Sequence, residues 1–257
     1  MNEHALSAMM DSHLGPFLAA LVLAGVYALR IGAGAGELAE RIWRRRRWVS
    51  AAAGVSVAYV FVDVLPELAA QSAAVRKVAG ESVWFIEERV YFLALLAFVV
   101  MYGIEHIVLS RRRHREGRGT AEGRDAVYWL HLAGFAPYSL LIGYLLIERA
   151  DRGMLSLALY AMAMAVHFVV VNHALAEEHG EVYRRHGHWV LALAVLAGWG
   201  LGNAVEIGPI AFARLFALLA GGVVITSLKA ELPNEREGRF WPFCLAAILF
   251  ALVLIAA

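Results

Sequence analysis

Long apolar stretches alternate with short polar ones along the whole chain. A bilayer core needs about 20 apolar residues per helix, and the stretches that reach this length predict eight membrane-spanning helices. We number them spans 1 to 8, over residues 14–36, 48–70, 88–110, 126–148, 154–177, 188–207, 209–231 and 239–257. The connecting segments are too short for a soluble domain, so residues 1–257 are expected to form a single all-α transmembrane domain.

Lysine and arginine are unevenly distributed over the connecting segments. The segments after spans 1, 3, 5 and 7 hold about three times as many as the others, which include Arg149 and Arg152, and basic loops favour the cytoplasmic side. Both termini are therefore predicted to lie outside. The opening MNEHALSAMMDSHLG lacks the basic start of a secretory signal, so span 1 is expected to be retained. Short loops and an Ala- and Arg-rich composition are typical of a bacterial inner (plasma) membrane protein, whose outer side is periplasmic.

Composition agrees with a lipid environment. Of the 257 residues, 61% are hydrophobic and 18% are charged, and a soluble domain of this composition could not cover its core with polar surface. The bilayer is the expected partner, and the arginine runs are expected to be solvated rather than to bind nucleic acid. Cys244 is the only cysteine and allows no intramolecular disulfide. No nucleophile–base spacing, HExxH pair or phosphate-binding glycine loop indicates an enzyme.

Two segments of the chain resemble each other. AGVSVAYVFVDVLPE in span 2 aligns without gaps with AGGVVITSLKAELPN in span 7, and a Leu-Pro pair ends both matches. Spans 2 and 7 run in opposite directions, as in an inverted-repeat transporter. Chance matching of abundant Ala, Gly and Val is the alternative, and the shared Leu-Pro favours the repeat. The predicted organisation is a first repeat over 14–110, middle helices over 126–177 and a second repeat over 188–257.

Three short motifs connect the chain to a known family. They are LPE (Leu65–Glu67) at the end of span 2, YGIEHI (Tyr102–Ile107) at the end of span 3, and AGG…ELP in span 7. With eight spans and outward termini, the chain resembles the ZIP family of divalent-metal transporters. The resemblance implies a 3+2+3 helix arrangement and a divalent cation, zinc or similar, as substrate, with a homodimer as a candidate assembly.

The family's metal-binding motifs are largely replaced. On span 4, the positions of an HNxxD-type motif fall on Gly134, Phe135 and Tyr138. On span 5, His167 matches the first histidine of an HExxHE-type motif, and the other ligand positions hold Phe168, Val171 and Asn172. Asp63 stands where family members often carry a histidine before LPE. The resemblance therefore predicts the fold more strongly than the transport chemistry.

Polar groups inside the spans fall into two layers. Each such group indicates a partner or a function, because ionisable side chains in lipid are costly unless paired or hydrated. Counting about 1.5 Å of rise per residue, the outer layer contains Asp63, Glu67, Asn203, Glu206 and Arg214. The inner layer contains Glu105, His106, His131, Asn172, His173, Glu177, Lys229 and Glu231. Only His167 lies between the layers, with Tyr138 and Ser139 as its nearest polar neighbours in depth.

These layers supply the candidate metal ligands and charge pairs. The candidate ligands are Asp63, Glu67, Glu105, His106, His167, His173 and Glu177. The candidate structural charges are Glu206 with Arg214, Lys229 with Glu105, and Glu231. His173 and Glu177 share one helix face, because they are four residues apart, and His167 lies on another. Two interpretations of His167 stay open, a remnant ligand and a hydrogen-bonding residue between helices. His179 lies in or beside a soluble loop, where solvation is favoured over weak metal binding.

Two functions compete. In the first, the protein transports a divalent cation or another small solute. Asp63 and Glu67 would receive the cation, His167 would mark the middle of the path, and the inner residues His173, Glu177 and Glu105 would release it. In the second, the protein keeps the ZIP fold without transport, as a partner subunit, sensor or scaffold, and the Lys229 amine replaces a bound cation.

Overall fold

The structure is all-helical in the part of the chain that it describes. The computed structural model describes residues 3–29, 46–79, 85–113, 121–228 and 240–257. We number the helices to follow the predicted spans. They are α1 (Glu3–Ala28), α2 (Arg46–Tyr59, a π-helical turn Val60–Val64, and Leu65–Ala79), α3 (Phe85–Arg113), α4 (Ala121–Asp151), α5 (Met154–Val182), α6 (His188–Ala204), α7 (Pro209–Thr226) and α8 (Phe240–Ala256).

Five helical segments are long and apolar enough to cross a membrane. They are Ser50–Lys77, Arg89–Val108, Ala126–Asp151, Met154–Ala204 and Pro209–Thr226. Two shorter apolar helices cover His13–Ala28 and Phe240–Ala256. Large apolar side chains on α3 and α8, such as Phe92 and Leu249, are exposed, which is favourable where the surrounding solvent is lipid. The all-helical prediction is confirmed, and these helices are of the kind that a membrane protein requires.

The segment Met154–Ala204 contains a reversal of the chain. Gly180 has a φ of +59°, a conformation that residues with a side chain rarely adopt. The Tyr183 hydroxyl lies 2.8 Å from Oδ1 of Asn172, whereas eleven residues along one straight helix would span about 16 Å. The chain therefore turns back at Gly180, and α6 leaves in a different direction from α5.

Close helix pairs hold the bundle together. α2 packs along α8, α7 along α3, and α4 along α6, while α1 contacts both α5 and α6. At each of the first three pairs a glycine faces a backbone carbonyl of the neighbouring helix: Gly54 faces Phe243, Gly221 faces Ala94, Gly143 faces Val195 and Gly198 faces Leu140. Small residues allow such close approach in membrane bundles, where dispersion contacts and packing drive helix association.

Gly54 and Gly221 occupy equivalent positions in the two aligned segments of spans 2 and 7. Their neighbours, α8 and α3, are the third helices of the two predicted repeats. If the two repeats are interchanged, α2 takes the place of α7 and α8 takes the place of α3. The α2–α8 contact therefore corresponds to the α7–α3 contact. The sequence similarity between spans 2 and 7 thus coincides with a close glycine contact that occurs in both predicted repeats.

We expect Gly54→Ala and Gly221→Ala to lower the free energy of unfolding, each by about 1–3 kcal/mol, because the added methyl group meets backbone rather than a movable side chain. Gly25→Ala and Gly103→Ala are matched controls, since a Cβ there meets no atom within 4 Å. The controls should be neutral or stabilise by up to about 1 kcal/mol, because alanine restricts the unfolded chain more than glycine. Thermal unfolding in detergent measures all four. Equal effects at the packed and open glycines would contradict the close packing.

Candidate metal centre

His167 lies in a hydrogen-bonded group in the middle of the bundle. Its Nε2 is 2.9 Å from the Tyr138 hydroxyl on α4 and 3.4 Å from Oγ1 of Thr226 on α7. Thr226 donates its own hydrogen to the Gly222 carbonyl at 2.8 Å. Depth along the spans predicted Tyr138 and Ser139 as the nearest polar neighbours of His167; the Tyr138 contact is present, whereas the Ser139 hydroxyl lies 3.2 Å from the Tyr27 hydroxyl. A metal ion at Nε2 would have to displace the tyrosine.

Asn172 joins two helix ends. Its side-chain amide donates to the carbonyls of Val26, Tyr27 and Leu29, at 3.0, 3.3 and 3.1 Å. Its Oδ1 accepts from the Tyr183 hydroxyl. The last carbonyls of a helix have no partner within that helix, so Asn172 on α5 caps α1 from outside. Asn172, which stands where the resemblance to ZIP transporters implies a metal ligand, therefore holds α1 in place.

Asp63 is bound to a buried arginine. Nη1 and Nη2 of Arg149 donate to Oδ1 and Oδ2 of Asp63 at 3.1 and 2.8 Å. Arg149 is only 4% exposed, and its guanidinium carbon lies 5.3 Å from the centre of the Tyr160 ring. Asp63 lies in the π-helical turn of α2, a distortion often found at functional sites. The arginine supplies the positive charge that a captured cation was predicted to supply.

Glu67, one helical turn after Asp63, is also bound to an arginine. Its Oε1 accepts from Nη2 of Arg152 and from the Gln71 amide, both at 2.6 Å. Arg152 also pairs with Glu148, which connects the two arginine–carboxylate pairs. The hydrogen bond to Glu67 is the largest of the influences that raise the pKa of Arg152. We call Asp63, Glu67, Glu148, Arg149 and Arg152 the outer ion-pair network, after the side of the membrane that the sequence predicts for them, and use 'inner' for the opposite end in the same sense.

A second polar cluster, at the other end of the bundle, centres on His131 of α4. His131 is 1% exposed, and its Nε2 lies 2.8 Å from Oε1 of Glu105 on α3. Its Nδ1 lies 2.8 Å from Nε2 of His179 and 3.5 Å from Oε2 of Glu178, both on α5. One ligand atom from each of His131, Glu178 and His179 lies within 4.8 Å of the others. We call these three residues the inner triad.

The inner triad has the chemistry of a transition-metal site. Two imidazoles and a carboxylate are ligands that zinc binds, and a metal-bound histidine generally donates its other ring N–H to a carboxylate. Glu105 is placed to accept that hydrogen from His131, which leaves Nδ1 to face the other ligands. Nitrogen ligands about 2.0–2.1 Å from a tetrahedral zinc are about 3.3 Å apart. The 2.8 Å between the two histidine nitrogens therefore needs to widen by only about half an ångström.

A cavity adjoins the inner triad. It encloses about 260 Å³ between α3, α4, α5 and α7, and is lined by Met101, Glu105, His131, Phe135, Val171, Ala174, Leu175, Glu178, Ile225 and Thr226. Thr226 is also a neighbour of His167. The cavity therefore extends from the triad to the hydrogen-bonded group in the middle of the bundle.

The remaining predicted residues lie apart from this cluster. His173 and Glu177 form the expected contact within α5, at 3.0 Å, with Glu177 exposed. His106 is exposed and stacks on the Tyr102 ring. Glu206 and Arg214 are both exposed and form no ion pair with each other within the described residues. Lys229 and Glu231 lie outside the described residues.

The layers gave the depth of His131, but no member of the inner triad was among the predicted metal ligands. The layers placed Glu105 and His131 at one depth, and the two side chains are in contact. The layers do not include Glu178, and the sequence favours a solvated His179 over a weak metal ligand. The sequence did contain a signal that Glu178 faces the bundle. Glu178 follows Val171, Ala174 and Leu175 at helical spacing, so the four residues share one face of α5.

No protein-family model, curated protein or solved structure matches this chain. The resemblance to ZIP transporters therefore rests on the sequence motifs given above.

We expect Asp63 and Arg149 to be strongly coupled in stability. Arg149→Met should lower the free energy of unfolding by about 3–5 kcal/mol, because it leaves a carboxylate without its counter-ion in an apolar bundle. Asp63→Asn combined with Arg149→Met should cost less than the sum of the single changes. A double-mutant cycle measured by unfolding in detergent tests this. The control cycle is His173→Ala with Glu177→Ala, an ion pair whose carboxylate is exposed to solvent, so its coupling should stay below about 1 kcal/mol; equal coupling in both cycles would contradict the burial argument.

Proposed function

We propose that this chain is a polytopic membrane transporter that binds a divalent transition-metal ion at the inner triad. The observation that carries the proposal is the convergence of His131, Glu178 and His179, with Glu105 orienting His131, beside a cavity between four helices. The site joins α4 to α5, the two middle helices of the predicted 3+2+3 arrangement.

The arrangement of helices supports a transporter fold. The reversal at Gly180 divides Met154–Ala204 into two passes, and with the two shorter apolar helices this agrees with eight spans. The equivalent glycine contacts of α2 with α8 and α7 with α3 favour an inverted repeat. The termini are assigned to the outside of a bacterial inner membrane by the distribution of basic loops.

The ligand set favours zinc or a similar ion as substrate. Imidazole suits zinc, copper, iron and nickel, whereas calcium and magnesium prefer sites built from oxygen ligands alone. Three protein ligands also leave a coordination position open. An ion held in this way can exchange ligands more readily than one in a closed four-ligand site, as a transported ion must.

Movement of an ion toward the outer side requires the outer ion-pair network to separate. Arg149 and Arg152 connect the turn between α4 and α5 to Asp63 and Glu67 of α2. The middle helices are therefore joined to the first repeat at the outer end, while the cavity lies toward the inner triad. This corresponds to a state in which the outer end is closed.

The outer ion-pair network also favours a second candidate, a ZIP-fold protein that does not transport but, unlike the non-transporting form predicted from the sequence, binds a metal ion at the inner triad. Two bidentate arginine–carboxylate pairs form a rigid closure that a sensor or partner subunit could keep permanently. The two candidates share the inner triad and differ only in whether the ion crosses the bilayer.

The first expectation concerns binding. Purified protein stripped of metal should bind Zn²⁺ or Co²⁺, and its unfolding temperature should rise with metal concentration, because a ligand bound to the folded state stabilises it. His131→Ala and His179→Ala should abolish the rise. Glu105→Gln should weaken binding by about 10- to 100-fold, as loss of an orienting carboxylate does.

His106→Ala and His173→Ala are the matched controls, because both histidines lie on the same helices as triad residues or Glu105 and outside the triad. They should bind metal as the wild type does. Loss of binding in the controls, or unchanged binding in His131→Ala, would contradict the assignment of the site.

The second expectation concerns transport. Proteoliposomes containing the wild type should take up Zn²⁺ faster than empty vesicles, and His131→Ala should reduce uptake to the empty-vesicle rate, because an ion without its ligands has no stable position within the bundle. A metal-sensitive dye inside the vesicles measures the flux. Metal binding without flux would favour the sensor or partner-subunit candidate.

A further inference from the structure

A second cavity lies at the ends of α2 and α8, apart from the inner triad. It encloses about 720 Å³ and is lined by Arg47, Trp48, Ala51, Phe240, Trp241, Pro242 and Leu245. This volume is within the range of about 300–1,000 Å³ that is usual for small-molecule sites. None of its described lining residues belongs to the inner triad or to the outer ion-pair network.

The cavity joins a cation to an aromatic surface. Arg47 is exposed, and none of the described lining residues is acidic. Trp48 and Trp241 are 60% and 72% exposed. Arginine binds phosphate through two parallel N–H donors, and tryptophan prefers the membrane–water interface. This combination suits a ligand with an anionic phosphate and an apolar body.

The position of the cavity matches the level of lipid headgroups. Gly54 of α2 meets the backbone of Phe243 and Ala247 on α8, so the first turns of the two apolar helices lie together at one end of the bundle. In sequence, Arg47 is the last of four consecutive arginines. A basic run directly beside a span attracts anionic lipid.

An apolar stripe leads away from the cavity along α8. Leu245 lines the cavity, and Leu249 and Leu252 continue from it at spacings of four and three residues. All three are more than half exposed, and residues at this spacing share one helix face. The stripe extends about 10 Å along the helix, in the direction that an acyl chain would take from a headgroup held at Arg47.

We propose that this cavity binds one anionic phospholipid. Arg47 donates hydrogen bonds to the phosphate, Trp48 and Trp241 pack against the glycerol and the upper acyl chain, and Leu249 and Leu252 continue the contact into the membrane. The site connects α2 to α8, so the bound lipid stabilises that helix pair. The proposal does not depend on metal binding or transport.

The test uses the full chain in detergent, to which phosphatidylglycerol, phosphatidylcholine or inorganic phosphate is added. Phosphatidylglycerol should raise the unfolding temperature and remain bound in native mass spectrometry, and the other two should do neither. Arg47→Gln and Trp241→Ala should each weaken phosphatidylglycerol binding by about tenfold, which corresponds to losing one charge-assisted hydrogen bond or one stacked aromatic group.

Arg185→Gln and Trp189→Ala are the matched controls. They remove an exposed arginine and an exposed tryptophan that line neither described cavity, and they should leave lipid binding unchanged. The unfolding temperature of each variant without lipid separates a folding defect from a binding defect. Equal effects of the two lipids, an equal effect of inorganic phosphate, or equal losses in the controls and the cavity variants would each overturn the proposal.

Discussion

A polar side chain inside an apolar helical bundle is stable only when another helix supplies its partner, because no water is available to do so. This constraint organises the described structure from one end to the other. Arg149 of α4 supplies the counter-ion of Asp63 on α2, Asn172 of α5 caps α1, and Glu105 of α3 holds His131 of α4. Each bond determines how two helices are aligned, in addition to satisfying the groups that form it.

The two ends of the bundle meet the same constraint with different chemistry. At the outer end, guanidinium groups neutralise carboxylates in fixed bidentate pairs, and an arginine remains charged at any physiological pH. At the inner end, the partners of His131 are a histidine and carboxylates, which bind either a proton or a metal ion. Within the described residues, the inner end combines the ligand groups of the inner triad with an adjoining cavity, which is the arrangement that the proposed metal site requires. The outer end is suited to closure.

Depth along the predicted spans was informative because a helix rises by a constant amount per residue. It placed Tyr138 beside His167, and Glu105 at the level of His131, and both contacts are present. It also placed Asp63 and Glu67 at the same end as Arg149 and Arg152. Depth does not determine, however, which way a side chain points around its helix axis or which helices are neighbours. Depth alone therefore predicts a cation as the partner of Asp63 and Glu67, although Arg149 and Arg152, which bind them, directly follow span 4 in sequence. It also predicts a pair between Glu206 and Arg214, whereas both side chains are exposed.

The sequence by itself determined the all-helical fold, the apolar segments and the approximate depth of each polar group, because these depend on composition and on the regular geometry of a helix. It also identified the repeated Ala-Gly and Leu-Pro positions of spans 2 and 7. The tertiary structure alone decided that His131, Glu178 and His179 converge, that Asn172 caps a distant helix, and that Arg47 and Trp241 line one cavity. Each of these groupings joins residues from distant parts of the chain, and only the packing and rotation of several helices bring their side chains together.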